Sequence, residues 1–225
     1  MGKRSAVLAA VLLAGLPLAA SAGTLRSAMN SVGVYGEGQG FSSQYSGGPD
    51  AGLGLRGTTL QGNWFGTAGV HYDFGGYGTP TPSGGHVWGV GVKAGYLIPL
   101  GGHFRVGPYL GYDHLQFHEE FFGGAAHIGS ENDALGGGLY AAWAPVSRLS
   151  IQVYAGYLGG INASGDVNGT AVHVRSSNVV QVGALTDYRL TGPVHLFAAF
   201  RYNHLNGDFK GNQYRWLAGA AYSFG

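Results

Sequence analysis

The chain contains no cysteine. That excludes disulfide bracing, thiolate catalysis and cysteine-ligated metal. Charge is scarce too: Asp, Glu, Lys and Arg make up 10% of the 225 residues, where a soluble domain carries about 25%. Lys and Arg number 12 against 11 Asp and Glu, with no basic run, so nucleic acid is not an expected partner. Long apolar runs are also missing. The one continuous stretch, Ala6 to Ala19, is shorter than the roughly 20 residues a membrane helix wants. If this chain crosses a bilayer, it does so with strands.

That apolar stretch has another reading. Lys3 and Arg4 precede it as a positive region, and Ala20-Ser21-Ala22 follows as a small-x-small cleavage site. Residues 1–22 therefore read as a secretory signal peptide and residues 23–225 as the exported domain.

What is abundant is glycine, 44 residues, and aromatic side chains, 13% of the chain. They are arranged with period two. In the last stretch Tyr214, Trp216, Ala218, Ala220, Tyr222 and Phe224 share one face, with Gln213, Arg215, Gly219, Ala221 and Ser223 on the other. Alternation of this kind, with aromatic residues at the rims, suits a strand that faces lipid on one side and a polar lumen on the other.

Ten such strands are expected, at about 30–43, 50–60, 63–76, 86–98, 103–117, 132–144, 149–161, 172–189, 193–205 and 212–224. Eight is the alternative, if residues 30–60 do not make two full crossings. Short turns at Gln61-Gly62, Leu100 to Gly102, Pro145 to Arg148 and Leu190 to Gly192 alternate with longer Gly-rich connections near 44–49, 77–85, 118–131, 162–171 and 206–211. This is the asymmetry of periplasmic turns and extracellular loops. The expected fold is thus all-β, an antiparallel up-and-down transmembrane β-barrel in a Gram-negative outer membrane.

Depth gives a second check on the register. Tyr72, Phe74, Trp88, Tyr112, Tyr157, Tyr202, Tyr214 and Trp216 fall at the extracellular ends of the lipid-facing rows. Trp64, Tyr96, Phe104, Trp143, Tyr188, Tyr222 and Phe224 fall at the periplasmic ends, with aliphatic residues such as Val70, Val90, Val92, Leu110, Leu139, Val153 and Val182 between. Two aromatic girdles around an aliphatic band follow from the preference of amphipathic rings for the headgroup layer. The opposite parity places Arg56, Asp73, Lys93, Arg105, Asp113, Arg201 and Arg215 in the lumen, together with Glu37, His71, Tyr109, Gln152, Tyr154, Arg175, Gln181 and Asp187. In a narrow barrel such side chains are expected to cross the interior and pair, with glycine leaving room.

Three segments carry a resemblance: Val92 to Leu100, Phe104 to Tyr112, and the closing Gly219-Ala220-Ala221-Tyr222-Ser223-Phe224. The chain resembles the small outer-membrane barrel families, the OmpX-like and OmpW-like porin-family proteins. The likeness implies that Gly219, Tyr222 and Phe224 form the signal read by the barrel-assembly machinery. Two departures stand beside it: Leu217 in place of a polar residue, and Gly225 after the final aromatic. Members of these families are variously adhesins, narrow channels, carriers of hydrophobic compounds and structural proteins, so the resemblance implies no single activity.

Motifs of chemistry are few. Arg201 to Gly207 is faintly similar to the His-x-Ser-Asn segment of lipid A 3-O-deacylase barrels, but Asn206 occupies the nucleophile's place and a carboxamide cannot attack an ester there. His204 reads as a rim histidine among headgroups. Phe117 to Phe122 with His127 and Glu131 gathers ligand-type side chains, yet lacks the paired histidines at helical spacing of a zinc protease. It reads as a solvated loop ahead of a divalent-cation or lipopolysaccharide contact. The pair Phe121-Phe122 reads either as a partner contact or as cover for the barrel mouth.

No cofactor, metal centre or catalytic residue is expected. The sequence supports a non-enzymatic barrel with an envelope-structural or surface-interaction role, its partners being outer-membrane lipid, lipopolysaccharide and the assembly machinery. A narrow channel or conduit for small or hydrophobic solutes, lined by Arg56, Lys93, Arg105, Arg201 and Arg215, is the second reading. A lipid A-modifying enzyme is the third.

Overall fold

The computed structural model describes residues 24–43, 47–75, 82–101, 103–121, 125–208 and 210–224. The expected signal peptide, the tip residue Phe122 and the final Gly225 lie outside them, as does the side chain of Phe121. The first described element is a helix, α1 (Thr24–Met29). Strands follow as β1 (Ser31–Ser43), β2 (Gly47–Gln61), β3 (Trp64–Phe74), β4 (Pro82–Tyr96), a two-residue β5 (Ile98–Pro99), β6 (Phe104–Phe121), β7 (Ala126–Val146), β8 (Leu149–Val167), a three-residue β9 (Thr170–Val172), β10 (Asn178–Thr191), β11 (Val194–Asn206) and β12 (Gly211–Ser223).

Every long strand pairs antiparallel with its neighbour in the chain. β12 returns to pair with β1 from Ser31↔Ser223 to Ser43↔Gly211, so the ten long strands form a closed barrel. The eight-strand alternative is set aside, because β1 and β2 are two full crossings joined over twelve residue pairs. Closure removes every free edge along the membrane span, which is what a bilayer without water to satisfy backbone groups requires. The tight turns use glycine where the backbone needs it: Gly62 and Gly192 sit at φ of 61° and 53°, a region costly to other residues.

The barrel is inside-out relative to a soluble domain. Val34, Leu53, Trp64, Leu110, Leu139 and Trp216 are each more than half exposed, facing where lipid would be. Asp73, Asp187, Gln152, Gln181 and Gln213 are almost wholly buried within.

Four features differ from what the sequence suggested. First, the described residues of the stretches 118–131 and 162–171 are mostly strand. Strands β6, β7 and β8 run to 18, 21 and 19 residues, well beyond the roughly 9–11 needed to span the hydrocarbon. Their excess stands above the extracellular aromatic girdle as a sheet, and β8 continues into β9 through Asn168-Gly169, whose φ values of 51° and 76° make a tight hairpin turn. Second, β10 begins at Asn178, not near 172, so Arg175 is exposed on a segment outside the strands, its backbone N–H donating to Asp208 Oδ2 at 2.7 Å. Third, Val90 is only 4% exposed. It pairs across the sheet with Val70 on one side and His114 on the other, and the Trp88 and His114 rings close over the wall just above it.

Fourth, α1 fills the periplasmic mouth. Leu25 and Met29 are buried in one cluster with Leu60, Phe65, Leu97, Tyr109, Tyr140, Ala142 and Ala144. The spacing of Leu25, Ala28 and Met29 presents one apolar stripe to the lumen. Just beyond the helix, Asn30 joins three parts of the chain. Its Oδ1 accepts from Leu60 N–H at 2.7 Å and from the Thr59 hydroxyl at 3.2 Å. Its backbone carbonyl accepts from Phe224 N–H at 2.9 Å.

Candidate functional site

The lumen is where the polar side chains converge. Arg215 on β12 forms a buried ion pair with Glu37 on β1, and its guanidinium lies 4.0 Å from Asp73 on β3. His71 Nε2 sits 3.6 Å from Asp73. One turn of the wall away, a chain of bonds crosses the interior. Gln213 donates to Gln39 at 2.9 Å, Asn203 to Gln213 at 2.8 Å, and Arg201 to Asn203 at 3.1 Å and to Asp113 at 2.5 Å. Toward the periplasm Asp187 bonds His195 at 2.6 Å, both wholly buried.

The remaining cations are held by aromatic faces and backbone. Arg56 lies 4.6 Å over the Phe197 ring and donates to Thr58 at 3.0 Å. Lys93 Nζ lies 4.4 Å over Tyr154, a geometry in which ring quadrupole replaces part of the lost hydration. Arg105 reaches the rim instead, donating to Gly62 O at 2.9 Å and Asn63 Oδ1 at 3.1 Å in the β2–β3 turn.

Four cations deep in the lumen (Arg56, Lys93, Arg201, Arg215) thus face four anions (Glu37, Asp73, Asp113, Asp187), and the interior is close to neutral, not cationic. Glycines make the crossings possible. A Cβ on Gly54 would collide with the Tyr35 ring, and one on Gly183 with the Tyr154 ring. Between the crossings lie a cavity of about 140 Å³ lined by Tyr35, Arg56, Lys93, Tyr154, Arg201 and Arg215, among others, and a smaller one of about 30 Å³ beside His71, Asp113 and Gln213.

The closing segment occupies the seam. Gly219 lies against Tyr35, whose Cα and Cβ leave no space for a side chain there. Tyr222 points outward and is 56% exposed, and Phe224 is half-buried beside Asn30. His204 faces outward at the rim with Nδ1 2.9 Å from Asn212 Oδ1. Its partner is a carboxamide, not an acid that could orient it for catalysis.

A second polar constellation lies on the outer face of the sheet at and above the girdle; the sequence offers its girdle members Tyr72, Trp88 and Tyr112 and the ligand-type His118, Glu120, His127 and Glu131, but not their convergence with His86, His114 and Asp133. Asp133 on β7 accepts from the Tyr112 hydroxyl at 2.6 Å and Asn162 at 3.1 Å, and lies 2.8 Å from His114 Nδ1. Trp88 Nε1 donates to Gln116 at 2.6 Å, with its ring 4.6 Å from that of His114. Higher still, the rings of Tyr72, His86, His118 and His127 form a stacked row across β3, β4, β6 and β7, with centroid spacings of 5.5, 4.9 and 5.8 Å. Glu120 lies beside the last two. The signal that could have found this arrangement is register. His86 pairs with His118 and Glu120 with His127, relations visible only once these residues are known to be in strands.

No protein-family model and no curated protein sequence matches the chain. Solved structures do. The translocator domain of autotransporter NalP from Neisseria meningitidis superposes with a TM-score of 0.52 at 10% identity, over 86% of this chain and 88% of that one. The outer membrane protease OmpT from Escherichia coli superposes with a TM-score of 0.52 at 12% identity, over 87% and 94%. At such identities the likeness is one of fold, and the fold is that of an outer-membrane β-barrel.

Proposed function

We propose, from the premise of an outer-membrane β-barrel, that this protein is a closed, non-enzymatic component of the bacterial envelope. It is delivered by a cleaved signal peptide and the barrel-assembly machinery, and it acts through the sheet raised above the membrane instead of through its lumen. The observation that carries this reading is the seating of α1 in the periplasmic mouth against Leu60, Phe65, Tyr109 and Tyr140.

Above that plug the crossing side chains divide the bore into small cavities, of about 140 Å³ and 30 Å³. A conducting path needs a continuous file of water. On the catalytic side, the Asp187–His195 pair is sealed below the surface, and the outward His204 is held by a carboxamide, Asn212, which it shares with the Tyr202 hydroxyl. The sheet above the girdle, in contrast, presents polar and aromatic side chains to the exterior.

Planar-bilayer recording of the mature protein tests this. The expected result is no steady conductance at any applied potential compatible with the membrane. Reproducible stepwise current from the unmodified chain would overturn the reading in favour of a conduit.

A further inference from the structure

We propose that His118, Glu120 and His127 form a binding site for a borderline transition-metal dication, zinc above all, on the outer face of the protruding sheet. Glu120 stands two residues beyond His118 on β6, so both project from the same face, and His127 on β7 lies directly across from Glu120. His118 Nε2 is 4.0 Å and His127 Nδ1 3.9 Å from the same oxygen, Glu120 Oε1. One ligand atom from each residue lies within 4.8 Å of the other two.

These separations are too long for hydrogen bonds, so the three groups converge without satisfying one another. They are close to what a metal needs. Zinc bound at about 2.0–2.2 Å to imidazole nitrogen and carboxylate oxygen holds its tetrahedral ligand atoms about 3.3–3.5 Å apart. A tilt of the half-buried side chains by up to about an ångström closes the difference.

Two further features prepare the site. The rings are held by stacking, since His118 lies between His86 and His127 in the row described above. The backbone of His127 is fixed by two bonds to the β8–β9 turn: His127 N–H donates to Asn168 Oδ1 at 2.7 Å, and Asn168 N–H to His127 O at 2.9 Å. Two imidazoles and one carboxylate leave a fourth position open for water. They favour zinc, copper or nickel over magnesium or calcium, which prefer all-oxygen shells. Glu120 offsets part of the dication's charge. Because the ligands come from both strands of the β6–β7 hairpin, bound metal would clasp its outer end.

Calorimetric titration of zinc chloride into the chelator-stripped, detergent-folded mature protein tests the proposal. One saturable zinc per chain is expected, with magnesium unable to displace it. His118→Ala and His127→Ala should each weaken binding by about tenfold or more, whereas His103→Ala and His204→Ala, remote from the cluster, should leave it unchanged. Folding of each variant is read independently from its heat-dependent gel migration. Failure of the wild type to saturate below about 1 mM zinc, or undiminished affinity in a folded His118→Ala/His127→Ala double variant, would overturn it.

Discussion

Arg215→Met is expected to destabilise the folded barrel by about 3–5 kcal/mol, the scale of leaving a buried charge without its partner. Arg215 is buried against Glu37, with Asp73 4.0 Å away. Both carboxylates are buried too, at 7% and 0% exposure. Methionine has nearly the right volume but no charge, so the loss falls on electrostatics more than on packing. The comparison that isolates this is Arg215→Met combined with Glu37→Gln. The double variant should recover part of the loss, because replacing both members of a buried pair is far less damaging than removing one. Urea unfolding in lipid vesicles reads both quantities. A single-variant loss below about 1 kcal/mol would mean that water reaches the pair and that the lumen is wetter than its geometry indicates.

The second large effect concerns the wall. Val92 lies midway along the outer row of β4 between Trp88 and Tyr96, while Lys93 points inward over Tyr154. Val92→Arg is expected to cost about 2–4 kcal/mol, the price of a guanidinium at mid-bilayer on a barrel exterior. Lys93→Ala removes one cation–ring contact and should cost about 0.5–2 kcal/mol. Spin labels distinguish the faces independently: a label at 92 should contact a lipid-soluble relaxation agent and one at 93 should not. Tolerance of Val92→Arg together with lipid contact at 93 would mean a one-residue slip of the strand, which exchanges every side chain between faces.

The contrast between these two neighbours shows why so much of the barrel was legible. A lipid wall and a polar bore impose opposite chemistry on alternate residues, and that alternation survives in Val90 to Tyr96 and in Gln213 to Phe224. Above the membrane the constraint ends. Residues Phe117 to Glu120 and Ala126 to Ser130 stand beyond the lipid wall, so period two in hydropathy fades although the strand pairing continues. That is why the metal-ligand cluster looked like a solvated loop. Asn168-Gly169 is a usable hairpin signal inside the stretch 162–171. Helix α1 is not legible in the sequence because six residues are too few to display a helical period.

Asn30 has a consequence for how the molecule opens. One side chain and one carbonyl bind the end of β2, the residue that follows the last strand, and the plug that precedes the first. The β1–β12 seam is where a closed cylinder made from a single chain would ordinarily breathe, since its two strands lie farthest apart in sequence. Here that line cannot part at its periplasmic end without also freeing the plug, and the plug cannot leave without exposing Leu25 and Met29. Seam and plug therefore belong to one cooperative unit. Amide exchange at Leu60 and Phe224 should follow global unfolding, not local fraying, and the two positions should exchange together.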